Sequence, residues 1–216
     1  MGIYLGLGAL THANRHSAYG SMENNRWAEL SVTQAAHAAE LLIKARIAQE
    51  HPLLIFEQFP RSTNVDGVNL SIKDLFEQGK TIQWLDLPER LWATTGISLP
   101  NKEKYIEFGK LRNGIQHFAP VPEATDLSGN TLHFIFEVID PFINDCWKLF
   151  AIDYDEDYEQ YVYFVSALVS REILFNVSKT AAECNKDWAV DWTSVKPSYK
   201  KEMKFRINKA LEDDMK

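Results

Sequence analysis

The chain has 216 residues, a formal net charge of −7, 45% hydrophobic residues and 12% aromatic residues. This length favours one sizeable domain with appendages, and the acidity excludes a protein that binds duplex nucleic acid by broad electrostatic attraction, since that affinity comes from phosphate neutralisation. The apolar runs are too short to cross a membrane, and Cys146 and Cys184 have no paired spacing, so we expect a cytoplasmic protein with no membrane contact.

Residues 1–25 are rich in Gly, Asn, Ser and His, and their composition predicts an irregular N-terminal arm. Gly6 and Gly8 are not followed by a third glycine at the dinucleotide-binding spacing, so they do not predict a nucleotide loop. A long helix is predicted over residues 26–50, because apolar residues recur there at helical spacing and alanines widen their face. Such a face allows close helix approach, in a bundle or at a dimer seam.

Further helices are predicted along the rest of the chain by the same spacing and by helix-start signals. They cover residues 71–78, 88–94, 102–118 and 130–150, the last with a kink at Pro141. Another helix is predicted to begin at the acidic residues 153–159. The predicted fold is therefore all-α, an antiparallel helical bundle with a four-helix core and small accessory elements. We predict three parts, namely the arm 1–25, a helical domain 26–178 and a C-terminal extension 179–216 with a basic helix.

The C-terminal extension is locally basic inside an acidic chain, through a run of cations on its predicted helix. Such a run is ordinarily a solvated helix face, and contact with RNA is the alternative. The cations are Lys200, Lys201, Lys204, Arg206 and Lys209.

The strongest candidate for chemistry is the pair Arg112 and His117, five positions apart. This spacing is weak by itself, because Arg46 and His51 repeat it and chance supplies it on the order of once in such a chain. Arg46 lies near the end of a core helix, where an arginine that reaches back to solvent is the ordinary explanation. Asn113, by contrast, shares a helix face with His117. The simplest alternative for Arg112 and His117 is a surface or capping pair without catalysis.

A resemblance to a known family adds to this pattern. Residues 105–118, Tyr-Ile-Glu-Phe-Gly-Lys-Leu-Arg-Asn-Gly-Ile-Gln-His-Phe, resemble the Leu-Arg-Asn-x-x-x-His signature of the HEPN superfamily. Residues 38–52 are similar to the first long helix of several bacterial members, and the whole likeness covers residues 26–170. Family members with a nucleotidylating antitoxin carry a tyrosine two residues after the histidine, where this chain has Ala119.

The resemblance implies a HEPN-like four-helix bundle that forms a homodimer, with the motifs of two protomers facing one cleft. Active members are endoribonucleases that need no metal or other cofactor, and many are toxins or effectors of toxin–antitoxin and antiviral defence systems. It implies RNA as substrate, an antitoxin or other neutralising protein as partner, and Arg112 with His117 as the catalytic pair beside the polar Asn113.

The residue types suit that chemistry. RNA supplies its own nucleophile, the 2′-hydroxyl group, so the protein has only to move protons and stabilise charge. An imidazole exchanges a proton near neutral pH, which suits His117 as general base or acid. The planar guanidinium of Arg112 suits a phosphate and its transition state. On a helix the two positions differ by roughly 140° and ~7.5 Å, which a long arginine can bridge across a groove.

Two further residues are candidates for substrate binding. Glu40 and Lys44 lie four apart in the order that favours a surface ion pair, and they are also placed to border the cleft. His12 and His16 lack the intervening glutamate of a metalloprotease, so we predict no metal site. The alternative to a nuclease is a non-catalytic HEPN-fold module that dimerises or binds a nucleotide or a partner.

Overall fold

The computed structural model describes residues 2–20, 24, 26–61, 70–117, 122, 124–156 and 161–212. In chain order its elements are α1 Gly2–Ala18, α2 Trp27–Glu50, β1 Phe56–Gln58, α3 Ile72–Gln78, β2 Lys80–Thr81, α4 Leu87–Thr95, α5 Lys102–Gln116, α6 Leu127–Phe134, α7 Asp140–Trp147, α8 Val162–Val169, α9 Lys179–Glu183 and α10 Pro197–Glu212. Short 3-10 turns occupy Pro52–Ile55, Trp84–Asp86 and Ala151–Asp153, and a π-helical segment occupies Ile135–Ile139. The prediction of an all-α helical bundle is confirmed.

The contacts divide the chain into two units, one of residues 1–42 with 100–216 and one of residues 43–99. In the larger unit α6 packs against α1 and α5, and α9 packs against α10. The smaller unit holds an antiparallel pair of strands, in which Phe56 lies opposite Thr81. The predicted domain limits at residues 26 and 179 stay predictions, although both α1 and α10 lie in the larger unit. Within the described residues, no helix is both long enough and apolar enough to span a membrane.

The prediction of an irregular arm over residues 1–25 is wrong for Gly2–Ala18, which forms α1. Leu7, Leu10 and Ala13 recur every three positions along α1, and all three are buried. The buried Asn14 amide donates hydrogen bonds to the carbonyl oxygens of Ala151, at 3.0 Å, and Tyr154, at 2.7 Å. The glycine-rich composition does not predict this helix, because the stability of α1 comes from tertiary packing rather than from intrinsic helix propensity.

Two glycines of α1 lie in opposite environments and form a matched pair for mutation. A Cβ atom on Gly6 would lie 2.8 Å from Leu42 Cγ and 3.3 Å from Leu42 N, whereas one on Gly8 would have no neighbour within 4 Å. We expect Gly6→Ala to lower the free energy of unfolding by about 1–3 kcal/mol, because α2 must move away. Gly8→Ala is expected to raise it by about 0.5–1 kcal/mol through helix propensity. Urea unfolding of both variants measures the contrast, and equal effects would contradict close packing at Gly6.

The helix predicted over residues 130–150 is present, but its irregularity lies ahead of Pro141. The chain is α-helical to Phe134, widens into the π-helical segment Ile135–Ile139, and continues as α7 to Trp147. The Asp140 N–H donates to Ile135 O, five residues back, as expected in a π-helix. A proline ring clashes with the carbonyl four residues earlier, so the backbone widens before Pro141.

Candidate active site

Helix α5 determines where the Arg-Asn-x-x-x-His segment lies. Asn101 caps its first turn, with its side-chain oxygen accepting from Lys104 N at 3.3 Å. Tyr105 and Phe108 are buried, and the Phe108 ring stacks on Phe134 of α6 with centroids 3.9 Å apart. These contacts fix the first half of α5 in the core. The helix ends at Gln116 and is capped by His117, whose N–H donates to Asn113 O at 3.0 Å.

Arg112 lies one turn before the end of α5 with a quarter of its side chain exposed. Its Nη1 donates to Asn113 Oδ1 at 2.9 Å, and its Nη2 lies 3.9 Å from Glu40 Oε2 on α2. The second contact is long for an ion pair, and both side chains are 25% exposed, so it contributes at most about 1 kcal/mol to stability. The guanidinium is therefore steered by its neighbours but not locked into the core.

His117 is exposed at the C-terminal cap of α5. Within the described part of the chain its imidazole ring makes no hydrogen bond and no ion pair, whereas Arg112 and Asn113 contact each other. Asn113 shares the helix face of His117 as predicted, but its side-chain oxygen accepts from Arg112. The structure therefore places all three predicted site residues at the C-terminal end of α5. Ala119 and Phe118 lie outside the described residues.

The second Arg/His pair of the same spacing has structural roles in the smaller unit. Arg46 Nη1 lies 2.7 Å from Glu50 Oε1, with 18% of the Arg46 side chain exposed. His51 Nδ1 accepts from Leu53 N at 3.2 Å and caps the 3-10 turn Pro52–Ile55. Both side chains are thus engaged in local contacts that explain their presence. The structure distinguishes the two pairs, which spacing alone does not.

The two predicted substrate-binding residues have different surroundings. Glu40 lies beside Arg112, as described above. Lys44 donates from Nζ to Thr81 Oγ1 at 3.1 Å, within the unit of residues 43–99. A role for either residue in binding substrate stays a prediction.

Tyr105 is a neighbour of this site that sequence reasoning did not single out. Burial raises the pKa of its hydroxyl group, the Glu40 carboxylate raises it further, and the Arg112 guanidinium lowers it. The Tyr105 hydroxyl therefore stays neutral and lies in the field of both charged groups. The sequence spacing could have indicated this neighbour, because Tyr105 precedes Arg112 by seven positions and hence lies on the same side of α5.

Comparisons of the chain with protein-family models, curated proteins and solved structures found no match. The likeness to the HEPN superfamily therefore rests on the residues quoted for it and stays a prediction.

Proposed function

We propose that this chain is a metal-independent endoribonuclease of the HEPN type, with Arg112 and His117 as its catalytic pair. The observation that carries the proposal is the surface placement of both side chains at the end of α5, with the guanidinium steered by Asn113. Had either group been enclosed in the apolar interior, no phosphate could have reached it. The chemistry needs only a proton-transfer group and a cation at one phosphorus centre.

In the proposed reaction the His117 imidazole takes the proton of the 2′-hydroxyl group, and the resulting oxygen attacks the adjacent phosphorus. The bond from phosphorus to the 5′-oxygen breaks, that oxygen takes a proton from water as it leaves, and the His117 imidazolium returns its proton to the solvent. The Arg112 guanidinium neutralises the charge that builds on the non-bridging oxygens. The products are a 2′,3′-cyclic phosphate and a 5′-hydroxyl group. Glu40 would keep the guanidinium in place between turnovers, and Lys44 remains a candidate for holding the RNA backbone.

The HEPN resemblance adds a biological setting to the proposal. A homodimer would bring two copies of the motif to one cleft and concentrate positive potential there, despite the net charge of −7. The setting would be a bacterial toxin–antitoxin or antiviral defence system in the cytoplasm, with an antitoxin or other neutralising partner.

The direct test incubates the purified chain with RNA in the presence of EDTA. We expect cleavage at a rate within about twofold of that without chelator, because proton transfer and charge stabilisation come from side chains. The products should carry 2′,3′-cyclic phosphate ends, which resist labelling at the 3′ end until they are opened with acid.

The oligomeric state is measured on the same sample by light scattering during size-exclusion chromatography. A folded protein that leaves RNA intact would contradict the proposal and favour the non-catalytic module. Loss of cleavage in EDTA would contradict its independence of metal.

A further inference from the structure

A groove lies far along the chain from Arg112, between α7, α9 and α10 within the larger unit. This groove, called here the α7–α10 groove, has a volume of about 510 Å³. Sites for small ligands commonly have volumes of about 300–1,000 Å³. Among the described residues, four cationic side chains line it, namely Lys148, Lys179, Arg206 and Lys209, together with the carboxylate of Glu202. Lys179 Nζ also lies 4.0 Å from Glu183 Oε1.

The cations of the groove come from three separate elements of an acidic chain. Lys148 caps α7 with a left-handed φ of 56°, a position that glycine or asparagine usually occupies. Lys179 begins α9, and Lys209 lies in the last turn of α10. Within the described residues neither Lys148 nor Lys209 makes an ion pair. Because like charges repel, such a cluster destabilises the empty protein and is offset when an anion binds.

The buried Asp140 holds two backbone segments that line the groove. Its two carboxylate oxygens accept hydrogen bonds from Ala151 N and Asn176 N, each at 2.9 Å. These bonds fix the backbone beside Phe150 and Val177, which line the groove. The groove is thus a preformed feature.

The guanidinium of Arg206 on α10 also has a fixed orientation. Arg206 donates from Nη1 to Phe175 O at 3.0 Å and from Nε to Glu202 Oε1 at 2.8 Å. One edge of the guanidinium is held by the protein, and Nη2 has no hydrogen bond within the described part of the chain. An oriented guanidinium of this kind suits the oxygens of a phosphate group.

An aromatic ring stands beside these cations. Phe205 lines the groove and is 63% exposed, although a phenyl ring of this size is normally buried. The side-chain amides of Asn144 and Asn176 also line the groove, and they can donate and accept hydrogen bonds at the polar edge of a planar ligand. Exposed aromatic rings among cations are the combination that binds unpaired nucleotides, by stacking the base and neutralising the phosphates.

We propose that the α7–α10 groove binds a nucleotide that carries more than one phosphate, either within a single strand of RNA or as a free nucleoside diphosphate. Four cations outnumber the neighbouring carboxylates of Glu202 and Glu183, so the described groove is net positive, and Phe205 supplies a stacking surface for the base. This inference goes beyond the proposed cleavage and does not need His117.

The test measures binding with probes that cannot be cleaved through a 2′-hydroxyl group. Fluorescence anisotropy follows a labelled 2′-O-methyl octauridylate, and calorimetry follows ADP, both at about 50 mM salt, where phosphate contacts are strong. We expect the double substitution Lys179→Gln and Lys209→Gln to weaken binding at least tenfold. For the oligonucleotide, the slope of log affinity against log salt should fall by about 1.4, since each contact to a single strand contributes about 0.7.

The matched control replaces two exposed lysines outside the groove, Lys186→Gln and Lys201→Gln, so that the net charge changes equally. We expect this control to retain binding within about twofold. Phe205→Leu tests the stacking and should weaken binding about tenfold without changing the salt slope. The ring is mainly exposed, so this substitution leaves folding unaffected.

Each outcome decides the inference. Selective loss in the groove variants supports it, and the probe that binds identifies the source as a strand or a free nucleotide. Equal weakening by the control overturns it, as does absence of binding to both probes. Inorganic phosphate that binds as tightly as ADP, with no effect of Phe205→Leu, overturns the nucleotide assignment. RNA cleavage is measured separately, so a chain that binds but does not cleave contradicts only the proposed function.

Discussion

Replacement of His117 with alanine is expected to lower the rate of RNA cleavage by about 10²–10⁴-fold, because that is the contribution of a positioned proton-transfer group. The unfolding free energy should change by less than about 0.5 kcal/mol, since the side chain is exposed at a helix end. Arg112→Ala should give a loss of similar size, and Arg112→Lys should recover little of it. Lysine keeps the charge but lacks the planar fork. Initial rates on a defined RNA, with urea unfolding of the same samples, provide the measurement.

The second Arg/His pair provides the matched control for these substitutions. His51→Ala removes a histidine at the same spacing from an arginine, but this histidine caps a 3-10 turn. It should therefore cost about 0.5–2 kcal/mol of stability and leave cleavage unchanged at a temperature where the protein is folded. If His51→Ala and His117→Ala had equal effects on cleavage, or if His117→Ala were fully active, the assignment of the catalytic pair would be wrong.

Replacement of Asp140 with alanine is expected to have the largest effect on stability, a loss of about 3 kcal/mol or more. The carboxylate is 1% exposed and accepts the N–H group of the buried Ala151 and that of the part-buried Asn176, and alanine offers no acceptor in its place. Each orphaned buried donor costs about 1–3 kcal/mol. Asp145→Ala on the same helix is the control, because Asp145 is exposed, and it should change stability by less than about 0.5 kcal/mol.

The effect of Asp140→Ala should also depend on pH. Burial raises the pKa of the Asp140 carboxyl to about 7 from its ordinary 3.8, and the two backbone hydrogen bonds and Arg206 oppose that rise. The native state then retains a proton between about pH 4 and 7 that the unfolded chain has lost, so native stability falls as the pH rises through this interval. The alanine variant lacks this titration. The difference in unfolding free energy between wild type and variant should therefore be larger at pH 5 than at pH 8.

Guanidinium chloride unfolding at pH 5 and pH 8 measures this difference. A difference that grows with pH would mean that the native state favours the ionised carboxylate, contrary to the raised pKa. A variant as stable as the wild type at both pH values would mean that Asp140 does not hold the two backbone segments.

The helical nature of the protein could be predicted wherever the apolar spacing was regular. The helix predicted over residues 26–50 is α2, and the one predicted over 102–118 is α5, which ends at Gln116. A helix-start signal predicted the start of α5, which Asn101 caps, because the bond that a capping residue makes is local in sequence. The same local pattern placed Arg112, Asn113 and His117 near the end of this helix, but their exposure to solvent is a finding of the structure. The identity of the family and the activity could not be decided in this way, because a short motif carries little information.

The sequence by itself determined the all-α class, the limits of α2 and α5 to within about two residues, and the residue types of the candidate catalytic pair. Only the tertiary structure decided that α1 is a helix, that Glu40 lies beside Arg112, and that lysines from α7 and α9 join those of α10 around one groove. The physical reason is distance along the chain. Helical periodicity and capping depend on residues within a few positions of one another, whereas these contacts join segments that only the packing of the core brings together.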